Sequence, residues 1–443
     1  MKTRILTMTL CLLIQGVFIL PTFSQNNNWT VQKCIDYAFQ KNIQIQKTFL
    51  TTESNKVSYE AMKASRFPIV DGSARESFGW ADQYSTGNNS YTFNVSNNSS
   101  FSVSSSVTLY AGLKLRQSIK QSDINYKAGE FDSETMKESI SLNIMDVFLQ
   151  ILYAEELVKN SQNQIDLTNK ELDLANERLN LGVISKSDVL QIKSQLATEK
   201  QIIANAQGVL MTNRVTLMQL MELPITNDFQ IEHPDLTNLI NKSRNSLPDS
   251  VYQIALAIKP QIKSAALRTE STSMDVGIAQ SSYMPRIALD AGVSTGFNSM
   301  NSSTYSSQFS HGFNPAIGIS FSIPIYHNQQ ISSTVEIAKI NTRNAQFDEQ
   351  NTKNLLRKSI ETACTNVMTA QNEFDASKEQ LQAAQESYSV ASEKYTQEIL
   401  NAVDLLIQKT NTITAESNYL QAKYNLIFSY KTLDFYLGIP FNF

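Results

Sequence analysis

Histidine and cysteine are scarce in this 443-residue chain, at three each. Cys34 and Cys364 have no metal-like spacing to His233, His311 or His327, and Cys11 lies in an N-terminal apolar stretch. No disulfide framework is expected from so few thiols. A phosphate-binding Gly-Lys loop and a nucleophile elbow are absent too, so the sequence offers neither a catalytic constellation nor a cofactor or metal site. An excess of positive charge is also missing: 37 basic residues face 41 acidic ones, a net charge of −4. That balance is too mild to imply a polybasic membrane contact, and no nucleic-acid partner is expected.

Long apolar runs are confined to the start. Lys2 and Arg4 precede a mostly apolar stretch from Ile5 to Leu20, and Pro21 to Ser24 lead into polar Gln25. Residues 1–24 are expected to be a secretory signal peptide. Cys11 lies inside its apolar part rather than ending it, which argues against lipidation. No later segment approaches the roughly 20 apolar residues of a membrane helix, so any membrane crossing must use strands.

Proline, ten residues in all, is absent between Pro68 and Pro224 and again between Pro324 and Pro440. Proline removes a helix donor and clashes with the preceding turn, so these gaps permit very long helices. They also recur, because the chain is written twice. Ala38 and Ala255, Gln44 and Gln261, and Pro68 and Pro285 repeat at an offset of 217. Asp188 and Asp404, Tyr110 and Tyr326, and Pro224 and Pro440 repeat at 216. The first repeat is placed at 25–240 and the second at 241–443. So even a duplication indicates a symmetric scaffold.

Apolar residues at steps of three and four support the helices. Ile192, Leu196, Ile203, Ala206, Leu210, Leu217 and Leu220 form a seam that only Glu199 and Asn213 interrupt. Leu356, Ile360, Ala363, Val367, Ala370 and Phe374 begin its counterpart. This is coiled-coil spacing. A helix from Leu113 to Leu181 would be roughly 100 Å long, and stretches of about 37 residues at 30–66 and 186–222 would stack end to end beside it. Pro260 is expected to break the lead helix of the second repeat, whereas Ile43 at the matching place predicts no break in the first.

Between the helices the period falls to two. Ile317, Ile319, Phe321, Ile323 and Ile325 alternate with small or polar residues, as do Phe101, Val103, Val107 and Leu109. With partner strands near 69–80 and 286–297, each repeat carries a hairpin, at about 69–110 and 286–326. Such hairpins suit a two-stranded ribbon packed on helices or a membrane barrel in which lipid meets the apolar face. Four strands cannot close a barrel alone, so the second case requires several copies.

The Phe67-Pro68-Ile69 junction, Leu109-Tyr110-Ala111-Gly112, the turn from Arg178 to Leu190 and the closing Tyr436-Leu437-Gly438-Ile439-Pro440 together resemble the TolC-type outer membrane efflux family. The resemblance implies a mainly α fold with β: long coiled-coil hairpins plus four membrane strands per chain. It further implies a homotrimer forming a 12-stranded β-barrel in the outer membrane lipid and a 12-helix tunnel in the periplasm. Its implied partners are a periplasmic adaptor (membrane fusion) protein and an inner membrane transporter, and its role is a passive, non-enzymatic conduit.

By position the resemblance puts Asp404, with Glu398 nearby, at the periplasmic aperture. Asn401 and Asp404 also fit a helix N-cap, as Ser185 and Asp188 do. Leu181, Gly182, Val183, Ile184, Ile399 and Leu400 are the expected adaptor contact, since apolar residues at a turn need a cover. The competing reading is a secreted or surface coiled-coil structural or adhesion protein.

Overall fold

The computed structural model describes residues 28–441 apart from 88, 227, 237–246 and 398, and the side chains of 83 and 85. The expected signal peptide therefore lies outside the described residues. The first repeat runs β1 (Asn28–Trp29), α1 (Val31–Lys41), α2 (Ile43–Ala64), β2 (Ile69–Ser85), β3 (Ser90–Ala111), α3 (Lys114–Asn180) and α4 (Lys186–Leu220). After β4 (Gln230–Ile231), which pairs in parallel with β1, the pattern repeats. It gives α5 (Pro248–Ile258), α6 (Pro260–Gln280), β5 (Arg286–Asn298), α7 (Tyr305–His311), β6 (Asn314–Ser322), α8 (Gln330–Thr396) and α9 (Ala402–Leu437).

The expected long helices are α3 and α8, each 67 residues, or about 100 Å at 1.5 Å per residue. Along α3, α2 packs against one half and α4 against the other; α6 and α9 do the same along α8. Apolar seams hold these pairs. Ile144, Phe148 and Ile151 of α3 meet Val31 and Ile35 of α1 and Leu217 of α4, while Leu356, Ile360 and Phe374 of α8 meet Leu426 and Leu433 of α9. Burial also sets the fate of the thiol in this core: Cys34 has its pKa pushed up to about 12, and both described cysteines are free.

One expectation fails here. The lead helix of the first repeat is broken, between α1 and α2, without any proline. Asn42 takes ψ 125° and Lys259, at the matching place, ψ 124°, so the two repeats turn alike. Pro260 supplies the second break by occupying the first helical position. The first is made by the Asn42 side chain, whose Oδ1 accepts from the N–H groups of Gln44 and Ile45 and whose Nδ2 donates to the Leu220 carbonyl at 2.8 Å. That last bond pins the start of α2 to the end of α4, which is the end-to-end stacking expected of the short helices.

Four strands form one antiparallel sheet in the order β2-β3-β5-β6, leaving the outer edges of β2 and β6 unpaired among the described residues. The register places Val70, Phe101, Val103, Leu289, Val293, Ile317, Ile319 and Phe321 on one face. Ser102, Ser104, Ser106, Asp290 and Ser320 share the other, where Asp290 accepts hydrogen bonds from Ser106 and Ser320. The alternation expected as far as Ile325 stops earlier. β6 ends at Ser322 because its partner β5 begins at Arg286 and Pro324 has no N–H to extend the ladder. The loop before β6 also holds a helix, α7, capped by Thr304.

Sheet passes into long helix through two residues in the first repeat, 112–113, and through seven in the second, 323–329. Gly112 and Leu113 take φ 59° and 67°, and Asn328 and Gln329 take 41° and 62° at the matching places of the second repeat. Glycine is needed at 112, where a Cβ would lie 2.6 Å from the Met284 Cβ.

Candidate functional site

The candidate site is the pair of helical tips farthest from the sheet. In the first, α3 ends on Gly182 at φ 77°, with the Val183 N–H bonded to the Arg178 carbonyl at 2.9 Å. A Cβ on Gly182 would meet nothing within 4 Å, so glycine serves the backbone angle there and not a contact. In the second tip the Ile399 N–H bonds the Lys394 carbonyl, also at 2.9 Å. Glu398, the counterpart of Gly182, lies outside the described residues.

The six residues expected to meet an adaptor divide into three groups. Leu181 is 78% exposed and Ile399 69%, with Val183 also open to solvent. Ile184 instead packs with Leu172, Leu179, Val189 and Ile192, and Leu400 with Tyr388, Tyr395 and Leu405. Those two fix the shape of the tips, while Gly182 provides the turn.

The aspartates differ in a way the matching spacing hides. Ser185 and Asp188 form a complete capping box: the Asp188 N–H donates to Ser185 Oγ, and its carboxylate accepts from the Ser185 N–H at 3.0 Å. Asn401 Oδ1 accepts from the Asp404 N–H at 2.9 Å, but among the described residues the Asp404 carboxylate receives no bond in return. It stands exposed in a groove of about 640 Å³ with Glu386, Lys394, Leu400 and Ile407.

Two contacts between the tips were not anticipated. Arg178 donates to the carbonyls of Tyr395 and Thr396 and lies over the Tyr395 ring, 5.1 Å from its centre. About two turns into α9, Lys409 is 1% exposed. Its Nζ donates to Glu171 and Thr168, both at 2.6 Å, with Glu199 3.9 Å away. Thr168 donates to Glu199, Gln195 donates to its other oxygen, and Tyr388 donates to Glu171. Burial, reinforced by that bond to Glu171, drives the Tyr388 pKa upward. The network joins α3, α4, α8 and α9. Its sequence trace was Glu199, one of two polar interruptions in the first apolar seam.

A four-stranded sheet continued by paired helices about 100 Å long is the architecture of an outer membrane channel protein. The model of the family described as outer membrane efflux protein matches residues 34–222 and 251–439, and the chain belongs to that family. Its members are channels of the Gram-negative outer membrane with a periplasmic extension. Toxin and drug export protein A of Aggregatibacter actinomycetemcomitans is 23% identical, covering 92% of this chain and 88% of that protein. Outer membrane protein TolC of Escherichia coli is 22% identical over 69% of this chain and 62% of its own length. In structure, CusC superposes with a TM-score of 0.80 at 17% identity, covering 93% and 92% of the two chains. The CmeC channel of Campylobacter jejuni gives 0.80 at 20%, covering 93% and 86%.

Proposed function

We propose that three copies assemble into a passive conduit that carries solutes from the periplasm to the exterior, without catalysis of its own. The open four-stranded sheet carries this reading. Two free edges per copy are satisfied by joining β6 of one copy to β2 of the next, and three copies give twelve strands. The apolar face then meets lipid and the serine-rich face lines the pore. The helical pairs continue below as a twelve-helix tunnel in the periplasm. A repeat organisation at 25–240 and 241–443 accounts for this quasi-sixfold wall.

The tips are the proposed aperture and docking end. Asp404, repeated threefold, places uncommitted carboxylates there, and Glu398, by its position in the sequence, is the second acid proposed for the aperture. Leu181, Val183 and Ile399 are offered to a periplasmic adaptor, which links the conduit to an inner membrane transporter. That transporter supplies the energy and selects the cargo. Export proteins for toxins, drugs and cations among the relatives support a cargo role of this kind.

The test is purification with and without detergent, followed by reconstitution in planar bilayers. A detergent-dependent trimer with stepwise conductance is expected. A soluble monomer without conductance would overturn the channel and favour a surface coiled-coil protein.

A further inference from the structure

Strand lengths in the sheet are unequal in an informative way. β5 has 13 residues and β6 has 9, close to the about 9–11 needed to cross an outer membrane. β2 has 17 and β3 has 22. The ladder between β3 and β5 stops at Asn98 with Asn298, and Asn97 still bonds Ser299, so the segments 79–85 and 90–96 continue alone as a two-stranded ribbon. At about 3.4 Å per residue the ribbon rises roughly 25 Å along its strands beyond the four-stranded sheet.

The two faces of this ribbon differ. Register pairs Trp80 with Val95, Asp82 with Phe93 and Tyr84 with Tyr91. This is the apolar face of the sheet, continued through Val70, Phe101 and Val103. Its rings are open: Trp80 is 66% exposed, Tyr91 72% and Phe93 65%. Tyr84 packs against Tyr91 at 5.1 Å between ring centres, and its hydroxyl donates to Asn89. The opposite face carries Gly79, Ala81, Asn94 and Ser96.

Lower down, an aromatic collar already marks the upper end of the apolar band. Phe101 meets Phe309 of α7, and Phe297 meets Tyr305. A collar at the membrane boundary is ordinary for such a barrel. Tyr84, Tyr91 and Phe93 lie beyond the four-stranded sheet, whose 13-residue β5 is already long enough for the roughly 25 Å apolar band of such a barrel. Aromatic rings facing water are costly unless something covers them.

We propose that Trp80, Tyr84, Tyr91 and Phe93 form a docking surface for the saccharide headgroup of the outer-leaflet glycolipid. The inference rests on the proposed barrel, whose apolar face points outward, and the surface is continuous with that lipid-facing band. Sugars offer C–H faces to aromatic rings and hydroxyls to amides and carboxylates, and Asp82 and Asn89 supply such partners beside the rings. Phosphate is a poor fit. The one basic residue between Pro68 and Lys114 is Arg75, which pairs with Ser100 on the opposite face.

The experiment uses the full mature chain in detergent with Trp29→Phe, which leaves Trp80 as the sole tryptophan. Lipid-free core oligosaccharide, intact and dephosphorylated, is titrated while Trp80 emission is followed. Both forms are expected to give a saturable shift, and phosphatidylglycerol micelles none. Tyr91→Ser and Phe93→Ser should each weaken the sugar affinity about tenfold while leaving the trimer intact on native gels. Absence of a shift, a response to the phosphorylated form alone, or a response to the phospholipid overturns the proposal. So does loss of the trimer in the serine variants, which would make this face a contact between copies. Bilayer conductance of the same preparation separates the two readings: conductance without sugar binding sinks this inference and spares the channel.

Discussion

Lys409 and Glu171 lie 2.6 Å apart on different helical hairpins, and the lysine is almost wholly buried. Bonds to Thr168 and Glu171 satisfy the ammonium, and Glu199 lies near it, so one side chain ties α9 to α3 beside α4. A buried ion pair is weak as a source of stability, yet removing one partner strands the other.

Lys409→Met is therefore expected to cost about 2–4 kcal/mol, because Glu199, almost wholly buried, and Glu171, partly open to solvent, lose their cation. Adding Glu171→Gln and Glu199→Gln should return much of that loss. Thermal melts of the purified protein in detergent check both. An unchanged melting point in the single variant would mean the network does not join the hairpins.

Alkaline pH probes the same place. The Tyr388 pKa is raised above its ordinary 10.0 by burial and then by the bond to Glu171. The phenol stays neutral in the folded protein while the unfolded chain ionises near pH 10. Its contribution is complete below about pH 10 and is lost as pH rises toward the higher folded value. Tyr388→Phe should flatten the decline in melting temperature between pH 10 and 12. Parallel curves for the two proteins would refute the assignment.

At the tips the expected effects fall on conduction. Arg178→Ala removes the bonds to the Tyr395 and Thr396 carbonyls and should raise conductance while changing stability by less than about 1 kcal/mol. Asp404→Asn should alter low-voltage conductance or its block by divalent cations, with little change in melting. Asp188→Asn should do the reverse, costing about 0.5–1 kcal/mol through the capping box without altering block. Identical conductance and block in Asp404→Asn and the parent would leave Asp404 as a helix-start residue alone.

Asn42→Ala deletes two accepted bonds and the bond to the Leu220 carbonyl, so about 2 kcal/mol of destabilisation is expected. Hydrogen exchange should quicken at Gln44, Ile45 and the end of α4. Protection unchanged there would show that packing alone sets the break.

The sequence made much of this legible because the long features are local. Proline-free intervals and a seam at steps of three and four give α3 within a residue of its observed ends, and the same seam from Leu356 onward marks part of α8. Period-two alternation gives the four strands. Tertiary features were not legible. The break at Asn42 depends on a carbonyl 178 residues away, and Ile43 beside it gives no sign. The expected parity of Asp188 and Asp404 rested on equal spacing, whereas Ser185 and Asn401 offer different chemistry to the same backbone. Glu199 could be seen to interrupt its seam, but its partners Lys409 and Thr168 come from other helices. The Ile184 and Leu400 positions read as free apolar turns, yet small cores claim them.

The equal length of α3 and α8 also constrains how such a chain can change over generations. A heptad added to α3 alone would drop the Leu181 tip about 10 Å below the Ile399 tip and part Arg178 from Tyr395. Growth or shrinkage must then arrive as twin events, one in each repeat. The reach of the wall across the periplasm is inherited in discrete steps, like the rungs of a ladder whose two rails were copied from one.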